Sequence, residues 1–77
     1  MTQAAEILKI IGEVCRVPVE ELTPEKHLIR DLDLDSVLAL ELLMTLEDNL
    51  GVEISEVDAA KLVTVGDVHE LIKQKSQ

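Results

Sequence analysis

The chain has 77 residues, 47% of them hydrophobic and none aromatic, so it makes one small domain whose core must be built from Leu, Ile, Val, Ala and Met. Its formal charge of −9 excludes nucleic-acid binding through phosphates and makes any charged partner basic. A single cysteine, Cys15, excludes an internal disulfide framework and fits a reducing compartment.

Residues 3–16 predict an amphipathic helix, with Ala4, Ile7, Leu8, Ile10, Ile11, Val14 and Cys15 on one face and Glu6, Lys9, Glu13 and Arg16 on the other. Pro18 stops it, and Cys15 is expected in the core. From Val17 to Asp35 runs a long irregular connection that Leu22, Leu28, Ile29, Leu32 and Leu34 should pin to the core. A second helix is predicted from Ser36 to about Leu50, ended by Gly51. Its core face is Ala39, Leu42, Leu43, Leu46 and Leu50. Beside Ser36 lies a second face of Val37, Leu40, Glu41, Met44, Glu47 and Asp48, which is either a docking surface or apolar overflow from a Leu-rich helix. Ser55-x-x-Asp58 and Thr64-x-x-Asp67 each resemble a capping box and predict a short third helix over 56–62 and a fourth over 65–74. The fourth should turn Val65, Val68, Leu71 and Ile72 inward. The pattern is all-α: a four-helix bundle with a short third helix and a long first loop.

Charge placement is more informative than its total. From Asp31 to Asp58 there are nine acids and no Lys or Arg, so the net charge sits in the middle of the chain. Within this window, D-L-D-L-D-S at residues 31–36 tests two chemistries. An EF-hand calcium loop starting at Asp31 has oxygen ligands at Asp33 and Asp35, but Ser36 stands where the turn needs Gly and Leu42 where the site needs its bidentate Glu. No resident metal is expected. His27, His69 and Cys15 lie at no ligand spacing. Ser36 has no nucleophile elbow, and Gly12, Gly51 and Gly66 are too scattered for a phosphate cradle, so autonomous catalysis is not expected. What remains for Ser36 is either a helix cap or an attachment point at a helix N-terminus, where a phosphate diester is welcome. No basic leader opens the chain, and the longest apolar run, around 37–46, is broken by Glu41 and Thr45. A cytoplasmic monomer without a transmembrane segment is expected.

Asp31-Leu32, Asp35-Ser36-Val37, Glu41-Leu42, Met44, Leu46-Glu47, Gly51-Val52-Glu53-Ile54 and Lys61-Leu62-Val63-Thr64-Val65 together resemble the acyl carrier protein family over nearly the whole chain. The resemblance implies a single acyl-carrier domain over residues 1–77, with 4′-phosphopantetheine from coenzyme A attached to Ser36. It further implies that Asp35 helps position the Mg²⁺ used by the phosphopantetheinyl transferase. Val37, Leu40, Glu41, Met44, Glu47 and Asp48 match the family's face for acyl-loading and acyl-processing enzymes with basic docking patches. Such a carrier holds acyl intermediates as thioesters for fatty-acid, polyketide or specialised lipid biosynthesis.

Three positions depart from the family pattern. Asp33 stands where many members have Gly, Val37 where Leu is commoner, and Leu38 where fatty-acid carriers often have Asp. Leu38 falls off the expected core arc, so it enters the partner face as an exposed apolar residue and favours a dedicated pathway. Two alternatives stand beside this: an aminoacyl or peptidyl carrier of the same fold, and, in another class, an acidic calcium-binding or adaptor helical protein.

Overall fold

A computed structural model of the chain describes residues 3–75. Helix α1 spans Gln3–Cys15, α2 Ser36–Leu50, α3 Glu56–Ala60 and α4 Val65–Lys75, with a short 3-10 turn at Val19–Glu21. The all-α expectation holds: these are four helices, and α3 is the short one.

α1 ends one residue before the sequence suggests, because Arg16 turns left-handed at φ 60°. The Val17 N–H then reaches back to the Gly12 carbonyl at 3.0 Å, which closes the helix as a Schellman motif does, and the Val17 side chain packs on the core. A Cβ on Gly12 would stand 2.8 Å from the Val17 oxygen, so the closure needs glycine there. Ile7, Ile10 and Ile11 are buried, while Leu8, Val14 and Cys15 pack at the core's edge and Ala4 is exposed.

The long connection contains a turn that its sequence does not announce. Asp31 and Leu32 donate N–H groups to the His27 carbonyl, and Asp33 donates to that of Ile29, at 2.9, 3.2 and 3.1 Å. This helical spacing puts Leu28 and Leu32 on one face and Ile29 and Asp33 on the other. Leu22, Leu28, Leu32 and Leu34 are buried as expected. Ile29 is not: it is 62% exposed, because it lies on the solvent side of that turn. The segment is tied to the approach to α4 by Leu28 N–H to the Val63 carbonyl at 2.9 Å and Val65 N–H to the Lys26 carbonyl at 3.0 Å.

α2 begins at Ser36, and Gly51 ends it in the left-handed region at φ 66° with its N–H on the Glu47 carbonyl. Leu42 and Leu46 are fully buried, with Ala39 and Leu50 packed beside them. Leu38 corrects an expectation. It is half-buried against the core, since the packed face of α2 is wider than the stripe drawn from Ala39, Leu42 and Leu46. α3 is shorter than expected: the Lys61 N–H turns back to the Asp58 carbonyl at 3.1 Å, so Lys61 and Leu62 leave the helix. α4 buries Val65, Val68, Leu71 and Ile72, all four of the residues its periodicity selects. The resulting core joins α1, α2, α4 and the long connection, whereas α3 buries no side chain of its own.

Candidate functional site

The three alternating aspartates have three different jobs. The Asp31 carboxylate accepts the His27 N–H at 2.7 Å. Asp33 occupies a left-handed position at φ 57°. Asp35 is the N-cap of α2, and its carboxylate accepts the Leu38 N–H at 2.8 Å. Their side chains do not converge: among the described residues no group of three or more His, Cys, Asp and Glu side chains gathers to hold a metal ion.

The role of Asp35 decides what Ser36 is free to do. Both were possible caps, and the carboxylate takes that place, which leaves the exposed Ser36 hydroxyl without a hydrogen-bond partner among the described residues. It stands on the first turn of α2, where unpaired backbone N–H groups and the helix dipole favour a phosphate oxygen.

Directly beside Ser36 opens a cavity of about 390 Å³. Leu28, Ile29 and Leu34 of the long connection form one wall, and Ala39, Leu42 and Leu43 of α2 form another. Ala59, Ala60 and Leu62, from α3 and the residues after it, complete it. Two residues that misfit the core pattern find their place here: the exposed Ile29 stands at the wall, and Leu43, expected in the core, faces the cavity.

The outer face of α2 carries Val37, Leu40 and Met44 at 73%, 60% and 53% exposure, with Glu41 and Asp48 exposed among them. Glu47 differs from its neighbours. It is half-buried, and its carboxylate accepts the Ile54 N–H at 2.8 Å, so it anchors the connection from α2 to α3. Asp58 caps α3 together with Ser55 and pairs with Lys75 of α4 at 2.7 Å. The Lys75 ammonium, followed by the Ser55 N–H, holds its carboxyl below the usual carboxylate range. Asp67 is held low in the same way by the N–H groups of Thr64 and Val63, at 3.0 and 2.9 Å. Partial burial pushes the Cys15 thiol up, and the side chain packs at the edge of the core. His27 Nδ1 accepts backbone N–H groups within its own turn, and His69 Nε2 is buried with no hydrogen-bond partner among the described residues.

Comparison with known proteins fits this geometry. Residues 5–72 match the family model described as the phosphopantetheine attachment site. The chain belongs to the acyl carrier protein family. Its prosthetic group is covalently attached 4′-phosphopantetheine. The chain is 39% identical over 77 residues to an acyl carrier protein of Desulforapulum autotrophicum, a match covering 99% of this chain and 100% of that one. It is 44% identical over 70 residues to a meromycolate extension acyl carrier protein of Mycobacterium leprae, covering 91% of this chain and 61% of the relative. Among solved structures, one described as an acyl carrier protein from Mycobacterium tuberculosis superposes with a TM-score of 0.88 at 30% identity, over 95% of this chain and 97% of that one. The acyl carrier protein of Enterococcus faecalis gives a TM-score of 0.77 at 29% identity, over 96% and 99%. No described helix is long and apolar enough to cross a membrane.

Sequence reasoning selected Ser36, Asp35 and the α2 face, but it did not place the cavity's walls at Ile29, Ala59 and Ala60. The available signal was the small pair Ala59-Ala60 facing a leucine-rich helix, which leaves room that a larger pair would fill.

Proposed function

We propose that Ser36 carries the 4′-phosphopantetheine arm and that the chain, acting as one carrier domain, hands acyl intermediates between enzymes of fatty-acid, polyketide or specialised lipid biosynthesis. The single observation carrying this is the free Ser36 hydroxyl: Asp35 takes the cap, and the serine stands exposed at the mouth of an apolar cavity. In the attachment step, Ser36 Oγ bonds to the phosphorus nearer the pantetheine in coenzyme A and loses its proton to a base of the transferase. The P–O bond to the other phosphate breaks, and the nucleotide half leaves. Asp35 helps to position the transferase's Mg²⁺. When attached, the arm supplies a thiol that holds the acyl group as a thioester, while the partner enzymes supply catalysis.

Val37, Leu40 and Met44, flanked by Glu41 and Asp48, suit partners with a basic rim and a small apolar contact. Such an interface steers and orients without holding the carrier too long. Glu47 and Leu38 contribute to that face mainly by shaping it, since both are half-buried. Leu38 therefore no longer argues for a dedicated pathway. Support for one comes instead from the similarity to carriers named for meromycolate extension and from the cavity's apolar walls, which favour an aliphatic cargo over an amino acid. The chain works as a cytoplasmic monomer.

Incubation with coenzyme A, Mg²⁺ and a phosphopantetheinyl transferase should add one phosphopantetheine to the intact mass. Ser36→Ala should abolish the addition and leave the helical circular dichroism unchanged. Modification at another residue, or none with several transferases, sinks the assignment of Ser36.

A further inference from the structure

The loop wall of the cavity depends on a histidine used as a helix cap. His27 Nδ1 accepts the N–H groups of Ile29 at 3.2 Å and Arg30 at 3.0 Å. These are the second and third donors that a Ser, Thr, Asp or Asn side chain takes at an ordinary helix start. The His27 carbonyl accepts the N–H groups of Asp31 and Leu32, and its own N–H donates to the Asp31 carboxylate, so residues 27–32 close around this one residue. The turn brings Leu28 and Ile29 to the cavity beside Ser36 and hangs on the approach to α4 through the bridge between His27 and Thr64.

An imidazole cap has a property that hydroxyl and amide caps lack. Nδ1 accepts N–H donors only through its lone pair, so a proton there places a further donor against two existing ones. Imidazole is also the side chain that ordinarily changes charge between about pH 5 and 8. The charged residues beside it on its own segment are Glu25, Lys26, Arg30 and Asp31, and across the bridge to Thr64 stands Asp67 at the head of α4. Asp31 is engaged by the His27 N–H, and Asp67 by the N–H groups of Val63 and Thr64, so neither replaces the acceptor that Ile29 and Arg30 lose.

We propose that His27 is a pH-sensitive clasp. With a neutral ring it holds the 27–32 turn shut, and with a protonated ring it releases Ile29 and Arg30 and loosens the cavity wall beside Ser36. The clasp stands on the geometry of the turn alone; its effect on a tethered cargo rests on the carrier function proposed above.

Two variants separate the acceptor from the proton. In His27→Asn, Oδ1 lies the same number of bonds from Cα as Nδ1 and does not titrate, whereas His27→Ala removes the acceptor. Amide protection factors are measured on the ¹⁵N-labelled full chain between about pH 5 and 8, with the His27 ring resonances reporting its titration. At the upper end, wild type and His27→Asn should protect Ile29 and Arg30 alike, and His27→Ala should protect them about fivefold less, the size of a lost cap. As the ring protonates, wild type should fall to the His27→Ala level while His27→Asn stays flat. Ile11 and Val68, buried in α1 and α4, should keep their protection throughout, which distinguishes local release from unfolding. Unchanged protection at Ile29 and Arg30 while the ring titrates overturns the clasp, as does a parallel decline in His27→Asn. Modification of Ser36 is read by mass on unvaried chain, so either result leaves that assignment standing.

Discussion

Asp33 shows how much one dihedral angle decides. It departs from the glycine that many acyl carrier proteins have there, and the structure places it at φ 57°, a conformation that costs a side chain and costs glycine nothing. Asp tolerates the left-handed region better than most residues, which makes the departure affordable without being optimal. Asp33→Gly relieves the strain but frees the unfolded chain, so its stability should stay within about 1 kcal/mol of wild type. Asp33→Val keeps the strain, adds a β-branch and should lose about 1–2 kcal/mol. Urea midpoints for the two variants check this, and a Val variant as stable as the Gly variant removes the backbone explanation. Next to it, the residues alone leave the cap of α2 open between Asp35 and Ser36, because Asp and Ser are equally good caps, and only the family resemblance marks Ser36 for attachment. Only the bond from the Leu38 N–H to the Asp35 carboxylate separates capping residue from free hydroxyl.

At the scale of elements, what was legible follows from which signals are local. The α4 boundaries and face could be read because Thr64 and Asp67 form a reciprocal box, with the Asp67 N–H on the Thr64 hydroxyl and the Thr64 N–H on the Asp67 carboxylate, ahead of a clean period. The 27–33 turn could not, since its cap is an imidazole and no residue preference marks it. Ile29 therefore lies outside the core that its hydrophobicity predicts, and α3 is shorter than its pattern because Lys61-Leu62 continues a helical period that a backbone turn interrupts. Asp67 also makes the α4 start acid-sensitive. Its carboxyl is held below an ordinary value of about 3.9, so the folded chain binds this proton less readily than the unfolded one. The stabilisation is therefore complete above that value and is lost as pH falls through the lowered one. Asp67→Asn, which keeps an acceptor and removes the titration, should flatten the fall in urea midpoint below about pH 4. An acid limb as steep as that of wild type would place the sensitivity elsewhere, Asp58 with its Lys75 partner being the next group to vary.

For the whole molecule, a firm core of α1, α2 and α4 stands beside an α3 that buries no side chain of its own, and the proposed carrier function divides into two parts that can be tested there, docking and storage. If the acid-rich side of α2 is the docking face proposed above, Glu41→Lys and Asp48→Lys should slow association with a partner enzyme more than Glu6→Lys and Glu13→Lys. The difference should shrink as salt shortens the Debye length below about 10 Å; equal effects from both pairs would argue against a localised face. Glu47 is the wrong residue for this test, because reversing it also frees the Ile54 N–H. Storage, on the carrier function proposed above, would use the cavity between α2 and α3. An aliphatic chain tethered at Ser36 would then enter beside Ile29 and lie against Leu42, Leu43 and Leu62, with Ala59 and Ala60 giving it width. Each buried methylene contributes at most about 0.8 kcal/mol before the cost of moving α3. The acylated chain should accordingly gain thermal stability with acyl length and then level off once the cavity's about 390 Å³ are filled. NMR shifts should move at Leu42, Leu43, Ala59 and Leu62, and Leu46 should report little, since it is sealed in the core away from the cavity. Widening an alanine supplies the control: Ala59→Leu should bring the plateau to shorter chains without altering modification at Ser36. If stability stays flat from short to medium chains and the shifts remain around Ser36, the cargo stays in solvent, and a short polar or aminoacyl group becomes the better candidate.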